Sequence, residues 1–249
     1  MAAVSNLHAV EDLARRGALF VVSHSAGKDS QAMALVVQSI VPADQILVVH
    51  AVLPEVEWDG VVEHIEATMT GIPIVLAYAA KTFFEMVDHR QMFPSPKNRQ
   101  CTSDLKRGPI EREVRRYLKA NPRFGGLVVM CMGMRALEST GRAKLETFQL
   151  NRQNSVAGRE WYDWLPIHAW TADDVFAAIA AAGQKPHWAY QAGMTRLSCC
   201  FCIMSSDADL RTAARLNPAL FERYASKEEE LGFTLSMSRR PLRDIARAA

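Results

Sequence analysis

A mainly parallel, doubly wound α/β sheet followed by a C-terminal helical extension is the fold this sequence predicts. Three observations carry the prediction. Apolar runs of strand length recur at 18–23, 46–50, 73–77 and 127–132. Helix-like stretches fill the intervals between them, and strands alternating with helices imply a parallel sheet covered on both faces. The chain has 249 residues, 49% apolar and 22% charged, which suits one soluble unit with a sizeable core, or one plus an appendage. The expected division is 1–180 for the α/β domain and 181–249 for a cysteine-bearing extension.

Taken in order, residues 7–16 read as a short helix and 18–23 as the first buried strand. Residues 29–40 form the first crossover helix, and Ile46-Leu47-Val48-Val49-His50 the second strand. A helix over 58–70 leads to the strand Pro73-Ile74-Val75-Leu76-Ala77. Pro94 and Pro96 break the next stretch before a helix over 107–119. Leu127 to Met132 is a further strand that closes on Gly133. In such sheets ligands sit outside the carboxyl ends of the strands, so the turns after Ser23 and after Met132 are the candidate site.

The first of these turns is Ser23-His24-Ser25-Ala26-Gly27-Lys28-Asp29-Ser30. A small-residue turn between a buried strand and a helix start gathers unpaired N–H groups, and the helix dipole adds positive charge. A phosphate is the natural guest. Lys28 adds a full charge, and Ser25 and Ser30 add hydroxyls. Asp29 suits a metal ligand or a helix cap. Only Gly27 precedes Lys28, which excludes the common G-x-x-x-x-G-K-[ST] phosphate loop, and no G-x-G-x-x-G is present. A polar turn capped by Ser or Asp is the simpler alternative. His24 reads as a phosphate contact or a pocket-wall residue, His50 as a packed strand-end residue or one on the adenine side, and the tryptophans at 161, 164, 170 and 188 as core rather than base-stacking.

Two further clusters carry chemistry. Gly133, Arg135, Glu138 and Arg142 follow the fourth strand, where the arginines could clamp phosphate or sulfate oxygens and Glu138 could hold one of them; surface ion pairs at a helix start are the alternative. Cys199 and Cys202 make a C-x-x-C pair with Cys200 between them, and Cys101 lies in an earlier loop. Five cysteines in a reducing compartment point to a metal or catalysis. Cys101, Cys199 and Cys202, with Cys200 as a fourth candidate, could hold a 4Fe-4S cluster; zinc, a redox dithiol and buried free thiols are the alternatives. Cys131 reads as a core residue.

A net charge of +2 does not by itself call for nucleic acid. Basic residues nevertheless gather at 97–116 and 239–247, as solvated helix faces or as phosphate-facing ones. No run of about 20 apolar residues is present, so no membrane span is expected. Nor is a secretory leader, and the cytoplasm is the expected location.

The first turn resembles the PP-loop, Ser-Gly-Gly-Lys-Asp-Ser, of the adenine nucleotide alpha hydrolase superfamily. Ala26 stands where that pattern has its first glycine, and would be strained if the backbone there needs positive φ. The later marks are similar, in order and spacing, to the phosphoadenosine phosphosulfate reductase family from about Ser23 to Ile203. They are Cys101 through Lys106 with Pro109, Gly133-Met134-Arg135 with Glu138 and Arg142, Trp164-Leu165-Pro166-Ile167 with Trp170-Thr171, and His187 through Gly193 to Cys202.

The resemblance implies ATP or a related adenylyl nucleotide at Ser23, Ser25 to Ser30, Gly133, Arg135 and Arg142. Lys28 and Asp29 are then catalytic, with magnesium at Asp29. Members that reduce sulfonucleotides carry a nucleophilic cysteine near the C-terminus and a Cys-Cys pair at the first cysteine site. This sequence has Gln100 before Cys101 and no cysteine after Cys202. The expectation is therefore cleavage at the alpha phosphate linked to iron–sulfur-dependent sulfur transfer, with a nucleic acid or small molecule as acceptor and a sulfur-donor protein or a homodimer as open partnerships. Sulfonucleotide reduction, a non-catalytic nucleotide-binding module and a zinc-stabilised hydrolase are the other readings.

Overall fold

The computed structural model describes residues 4–247. The chain forms two compact units. The first runs up to His50 and takes in Val62–Leu76 and Ile110–Pro186; the second gathers Ala51–Val61, Ala77–Pro109 and the chain from His187 onward. The second unit thus holds most of the segment expected as the extension, together with two earlier insertions. Among the described residues no helix is long and apolar enough to cross a membrane.

The first unit is built on a six-stranded sheet with the order β3-β2-β1-β4-β6-β5. Its strands are β1 (Leu19–Ser23), β2 (Ile46–Val52), β3 (Ile74–Tyr78), β4 (Leu127–Cys131), β5 (Phe148–Leu150) and β6 (Glu160–Trp164). β1 is central and pairs in parallel with β2 (Val21 opposite Leu47) and with β4 (Val21 opposite Met130). Leu19 to Val22 are fully buried, as expected of a strand covered on both faces. Cys131 is equally buried inside β4, and burial raises its thiol pKa well above the ordinary value.

β6 adds a further parallel strand, with Cys131 opposite Trp164, and β5 closes that edge in the antiparallel sense. Neither was expected. Glu-Trp-Tyr-Asp-Trp interrupts its aromatics with acids, so it shows no apolar run. Trp161 and Trp164, which alternation sends to opposite faces of the sheet, are nonetheless both buried.

The order of the strands places a topological switch at the centre. From β1 the chain moves outward to β2 and β3, then returns to the other side of β1 as β4. The crevice between the carboxyl ends of β1 and β4 is where such a sheet receives ligands. The helix α1 (Leu7–Arg15) precedes β1, and α2 (Lys28–Ile40) follows it. α2 buries Met33, Val36 and Val37 and packs on the helix Ala172–Ala181. That helix starts in a capping box: the Asp174 carboxylate accepts from the Thr171 amide (2.8 Å), and the Thr171 hydroxyl accepts from the Asp174 amide (3.1 Å).

α3 (Val61–Thr68) leads from the second unit into the first. The second unit contains α4 (Phe83–Arg90), absent from the expected elements, and helices at Asp207–Leu216, Pro218–Leu231 and Leu242–Arg247. Its core is aromatic: the Tyr224 ring meets Phe83, Phe84, Phe93 and Phe201 at centroid distances of 5.5, 4.9, 6.3 and 5.1 Å.

Candidate functional site

In the first unit the turn after β1 is closed by its own side chains. The Ser25 amide donates to Ser30 Oγ (3.2 Å), and that hydroxyl donates to the Gly27 carbonyl (2.9 Å). The Ala26 amide donates to His24 Nδ1 (3.0 Å). Ala26 has φ +58° and is fully buried. An alanine in the left-handed region costs about 1 kcal/mol, so the strain expected from replacing a glycine is present. His24 and Ser30 act as the two staples that hold it.

α2 then begins at Lys28 with Gly27, which has no side chain to cap the helix, as its N-cap. The first N–H groups of a helix have no intrahelical partner, which makes such an end a natural place for an anion. Asp29 is not the cap. Its Oδ1 accepts from Arg135 Nε at 2.6 Å, and its Oδ2 from Lys28 Nζ at 3.2 Å. Two cations flank one carboxylate, so the mouth of the crevice keeps a net positive charge.

The segment after β4 supplies the opposite wall. Gly133 passes so close to α2 that a Cβ there would lie 2.6 Å from the Asp29 carbonyl oxygen and 2.9 Å from the Ser30 nitrogen. Only glycine permits that approach. Arg135 is buried; besides Asp29 it reaches the Trp170 carbonyl through Nη1 (3.3 Å). Glu138 accepts from the Arg135 amide (2.8 Å) and forms an ion pair with Arg142. The glutamate therefore holds Arg142, while Asp29 holds Arg135.

Behind the turn lies a group of imidazoles that the sequence presents only singly. His24 is buried and pushed down to about 3, first by burial and then by His64 and His50. It is neutral at ordinary pH. With Nδ1 accepting from Ala26, the proton sits on Nε2, a buried atom without a partner among the described residues. His50 Nδ1 lies 2.9 Å from the His24 carbonyl oxygen.

The second unit brings the expected cysteines together. Cys101 sits in the short turn Gln100–Thr102, which runs into a π-helical turn over Ser103–Arg107. Such wide turns are rare and gather at functional sites. This one contains Lys106, whose pKa is raised first by Cys199 and then by Cys202, Cys101 and Glu57, against the opposing effect of burial. Cys199 is pushed up to about 11 by burial, an effect opposed by Lys106 and reinforced by Cys202 and Cys101. Burial likewise raises Cys101, against the pull of Lys106. Cys202 Sγ accepts from the Met204 amide (3.5 Å).

Cys200 differs from these three. It is fully buried, its thiol is pushed strongly up by burial, and its amide donates to the Val56 carbonyl (2.8 Å). Tyr224 presents a buried hydroxyl without a partner among the described residues, within electrostatic reach of Cys199, Cys200 and Cys202. Neither Lys106 nor Tyr224 stands out as a site residue in the sequence. Lys106 lies in the marked segment after Cys101, whereas nothing around Tyr224 distinguishes it.

Two tests of fit follow. Among the described residues no three His, Cys, Asp or Glu side chains stand where they could hold a metal ion. Both Asp29 oxygens are engaged by cations, so the turn does not fit a directly bound magnesium. The cysteine site fits an iron–sulfur cluster in its donor chemistry: three half-buried thiols from two segments around one lysine, although as they lie they do not form a ligand set.

The basic run at 97–116 spends much of its charge locally. Arg112 and Arg116 both reach Glu113 (2.9 and 2.8 Å), and Arg115 reaches Glu111 (3.8 Å). The run at 239–247 does the same through Arg240 to Asp207 (3.2 Å) and Arg243 to Glu222 and Glu229 (2.8 and 2.7 Å).

Comparison with known proteins bears on this arrangement. An uncharacterized 37.8 kDa protein of Escherichia phage 186 is 30% identical over 136 residues, 55% of this chain and 39% of that protein. An uncharacterized protein of Methanocaldococcus jannaschii is 22% identical over 212 residues, 85% of this chain and 48% of that one. The chain thus spans less than half the length of these curated relatives. Among solved structures, the phosphoadenylyl-sulfate reductase of Candida auris in its phosphate complex aligns over 72% of this chain and 80% of its own, at 12% identity and a TM-score of 0.47. The U34-tRNA thiolase of Methanococcus maripaludis, with its 4Fe-4S cluster, aligns over 96% and 80%, at 12% identity and a TM-score of 0.41. The family description of the phosphoadenosine phosphosulfate reductase domain matches residues 19–205, from β1 through the last cysteine, and the chain belongs to that family.

Proposed function

We propose that this protein binds ATP or a related adenylyl nucleotide at the turn Ser23 to Ser30 and cleaves it at the alpha phosphate. The cleavage would drive iron–sulfur-dependent sulfur transfer to a nucleic acid or a small molecule. One observation carries the reading. The first turn of α2 has no side-chain cap, and buried Lys28 and Arg135 stand beside it on either side of Asp29. That is a preformed site for charge developing on phosphate oxygens.

An acceptor oxygen attacks the alpha phosphorus, and the bond to the bridging oxygen breaks, its electron pair leaving with pyrophosphate. Lys28 and the first N–H groups of α2 stabilise that charge. Asp29 keeps Lys28 and Arg135 aimed at the same place, and Arg142, held by Glu138, faces nucleotide or substrate. The adenylated acceptor then carries a good leaving group. A sulfur nucleophile attacks its carbon, and the carbon–oxygen pair departs with AMP. Cys101, Cys199 and Cys202 would hold a cluster that supplies sulfur binding and release, with Lys106 as the neighbouring positive charge. No step here is routed through magnesium.

The test is anaerobic incubation with ATP labelled at the alpha phosphate, with acceptor-containing cell RNA or small thiol-free metabolites added. Wild-type protein is expected to yield AMP and pyrophosphate. Lys28→Ala is expected to weaken nucleotide binding at least tenfold. Unchanged affinity in that variant would remove the basis of the reading. The family match favours one other substrate, a sulfonucleotide at the same turn; release of sulfite from it would mark that chemistry instead.

A further inference from the structure

We infer that the second unit carries a groove along α4 that binds the backbone of a single-stranded nucleic acid. Two cavities of about 80 and 220 Å³ adjoin there and share Ala80 and Lys81 in their walls. The smaller is lined by Tyr78, a residue half exposed at 52%. The larger is lined by Lys81, His89 and Arg90, against a single carboxylate, Asp104. An aromatic platform leading into a cationic groove is the arrangement that holds unpaired strands, with bases stacking and phosphates tracking the charges.

Three features separate this groove from an ordinary solvated face. First, its cations are not spent. Among the described residues neither Lys81 nor Arg90 forms an ion pair, unlike the arginines at 112–116 and 240–243. Second, Arg90 Nη1 is cut off from solvent with no hydrogen-bond partner among the described residues. A guanidinium with one arm desolvated is costly to hold, and an anion on its accessible arm offsets that cost.

Third, local structure explains only part of the charge. His89 and Arg90 occupy the last turn of α4, where the helix dipole favours cations. Lys81 instead precedes the N-cap Thr82, where a cation is disfavoured. Arg90 ends an eight-residue helix and Lys81 precedes its N-cap, so their stations lie at least about 12 Å apart at 1.5 Å per residue. That separation suits an extended strand bearing successive phosphates better than one small anion. Glu85, also in the smaller cavity, is engaged by the Thr82 amide at 2.7 Å.

Gln100, one residue before Cys101, is among the residues lining the larger cavity. The inference deepens the proposed function and rests on it for one thing only, that the strand is the sulfur acceptor. Binding itself is tested alone, on the full chain under anaerobic conditions, by fluorescence anisotropy of a labelled short single-stranded RNA across a salt series. The double variant Lys81→Gln, Arg90→Gln is expected to bind at least tenfold more weakly. The slope of log affinity against log salt should fall by about 1.4, at roughly 0.7 per phosphate contact on a single strand. Tyr78→Ala is expected to weaken binding at least fivefold with the slope unchanged, as loss of stacking requires.

Melting curves confirm that each variant is folded. Absence of binding by the wild type, equal binding of duplex RNA, full displacement by equimolar inorganic phosphate, or variants indistinguishable from wild type would each overturn the inference. Wild-type protein that binds ATP but not RNA removes the groove alone. Protein that binds RNA but not ATP removes the reading of the first turn alone.

Discussion

His24 shows how one buried side chain can set the shape of the turn proposed to bind the nucleotide. Its Nδ1 accepts the amide of the strained Ala26, and burial keeps the ring neutral. That coupling has a sign. The ring pKa falls from 6.5 in an open chain to about 3 in the folded one, so the unfolded protein binds a proton that the native ring refuses. The stabilisation is complete above pH 6.5 and is lost steadily as pH falls toward 3. His24→Asn retains an acceptor near the Nδ1 position and removes the titration. Urea unfolding at pH 7.5 and pH 5 is expected to show a smaller loss of stability on acidification in the variant than in wild type. Equal losses would mean that another group carries the acid sensitivity. The wild-type drop should be at least about 1 kcal/mol, since a tenfold difference in proton affinity between native and unfolded chains is worth about 1.4 kcal/mol where it is fully expressed.

Among elements, the approach of the β4 tail to α2 is the contact that defines the crevice, and it depends on Gly133. A methyl group there would meet backbone on both sides of the Asp29 peptide, and backbone cannot swing aside as a side chain can. Gly133→Ala is expected to cost about 1–3 kcal/mol of stability and to weaken nucleotide binding together with it. Denaturant titration and a nucleotide-binding isotherm check the two effects; a variant as stable as wild type would show that the two segments slide freely.

This contact also marks what the sequence could convey. β1 to β4 announce themselves because each strand is an apolar run, and so do α2, α3 and the helix Gly108–Ala120. The Ser25 to Ser30 turn announces itself through residue types that suit an anion site, set between a buried strand and a helix start. β6 does not, because Glu160 and Asp163 mask two buried tryptophans. α4 does not, because its eight residues are few and the prolines that follow suggest a broken stretch. Pairing is illegible too: Asp29 reads equally as cap or metal ligand until Arg135, 106 residues later, is seen against it. The π-turn that sets Lys106 among the cysteines has no sequence signature at all.

At the level of the whole molecule, the two candidate chemistries are housed separately. Every residue of the nucleotide turn, with Gly133, Arg135 and Arg142, belongs to the first unit, and Cys101, Lys106, Cys199, Cys202 and Tyr224 belong to the second. Each set is organised by partners within its own unit: Asp29 with Arg135 and Lys28 in one, Lys106 with three thiols in the other. Sites without shared partners contribute independently, so their ligands should load independently, whereas sulfur transfer needs both. Cys101→Ala, Cys199→Ala and Cys202→Ala, purified anaerobically, are expected to lose most of their iron and sulfide and to bind ATP with wild-type affinity. Lys28→Ala should lose ATP and retain iron. Cys200→Ala is expected to retain its iron and melt at a lower temperature, because it leaves a small cavity in a buried position. A wild type that carries zinc, or no metal, would withdraw the iron–sulfur part of the proposal and leave the nucleotide part standing. Retention of iron by the three single variants, with its loss in Cys200→Ala, would reverse the assignment of ligand and core residue.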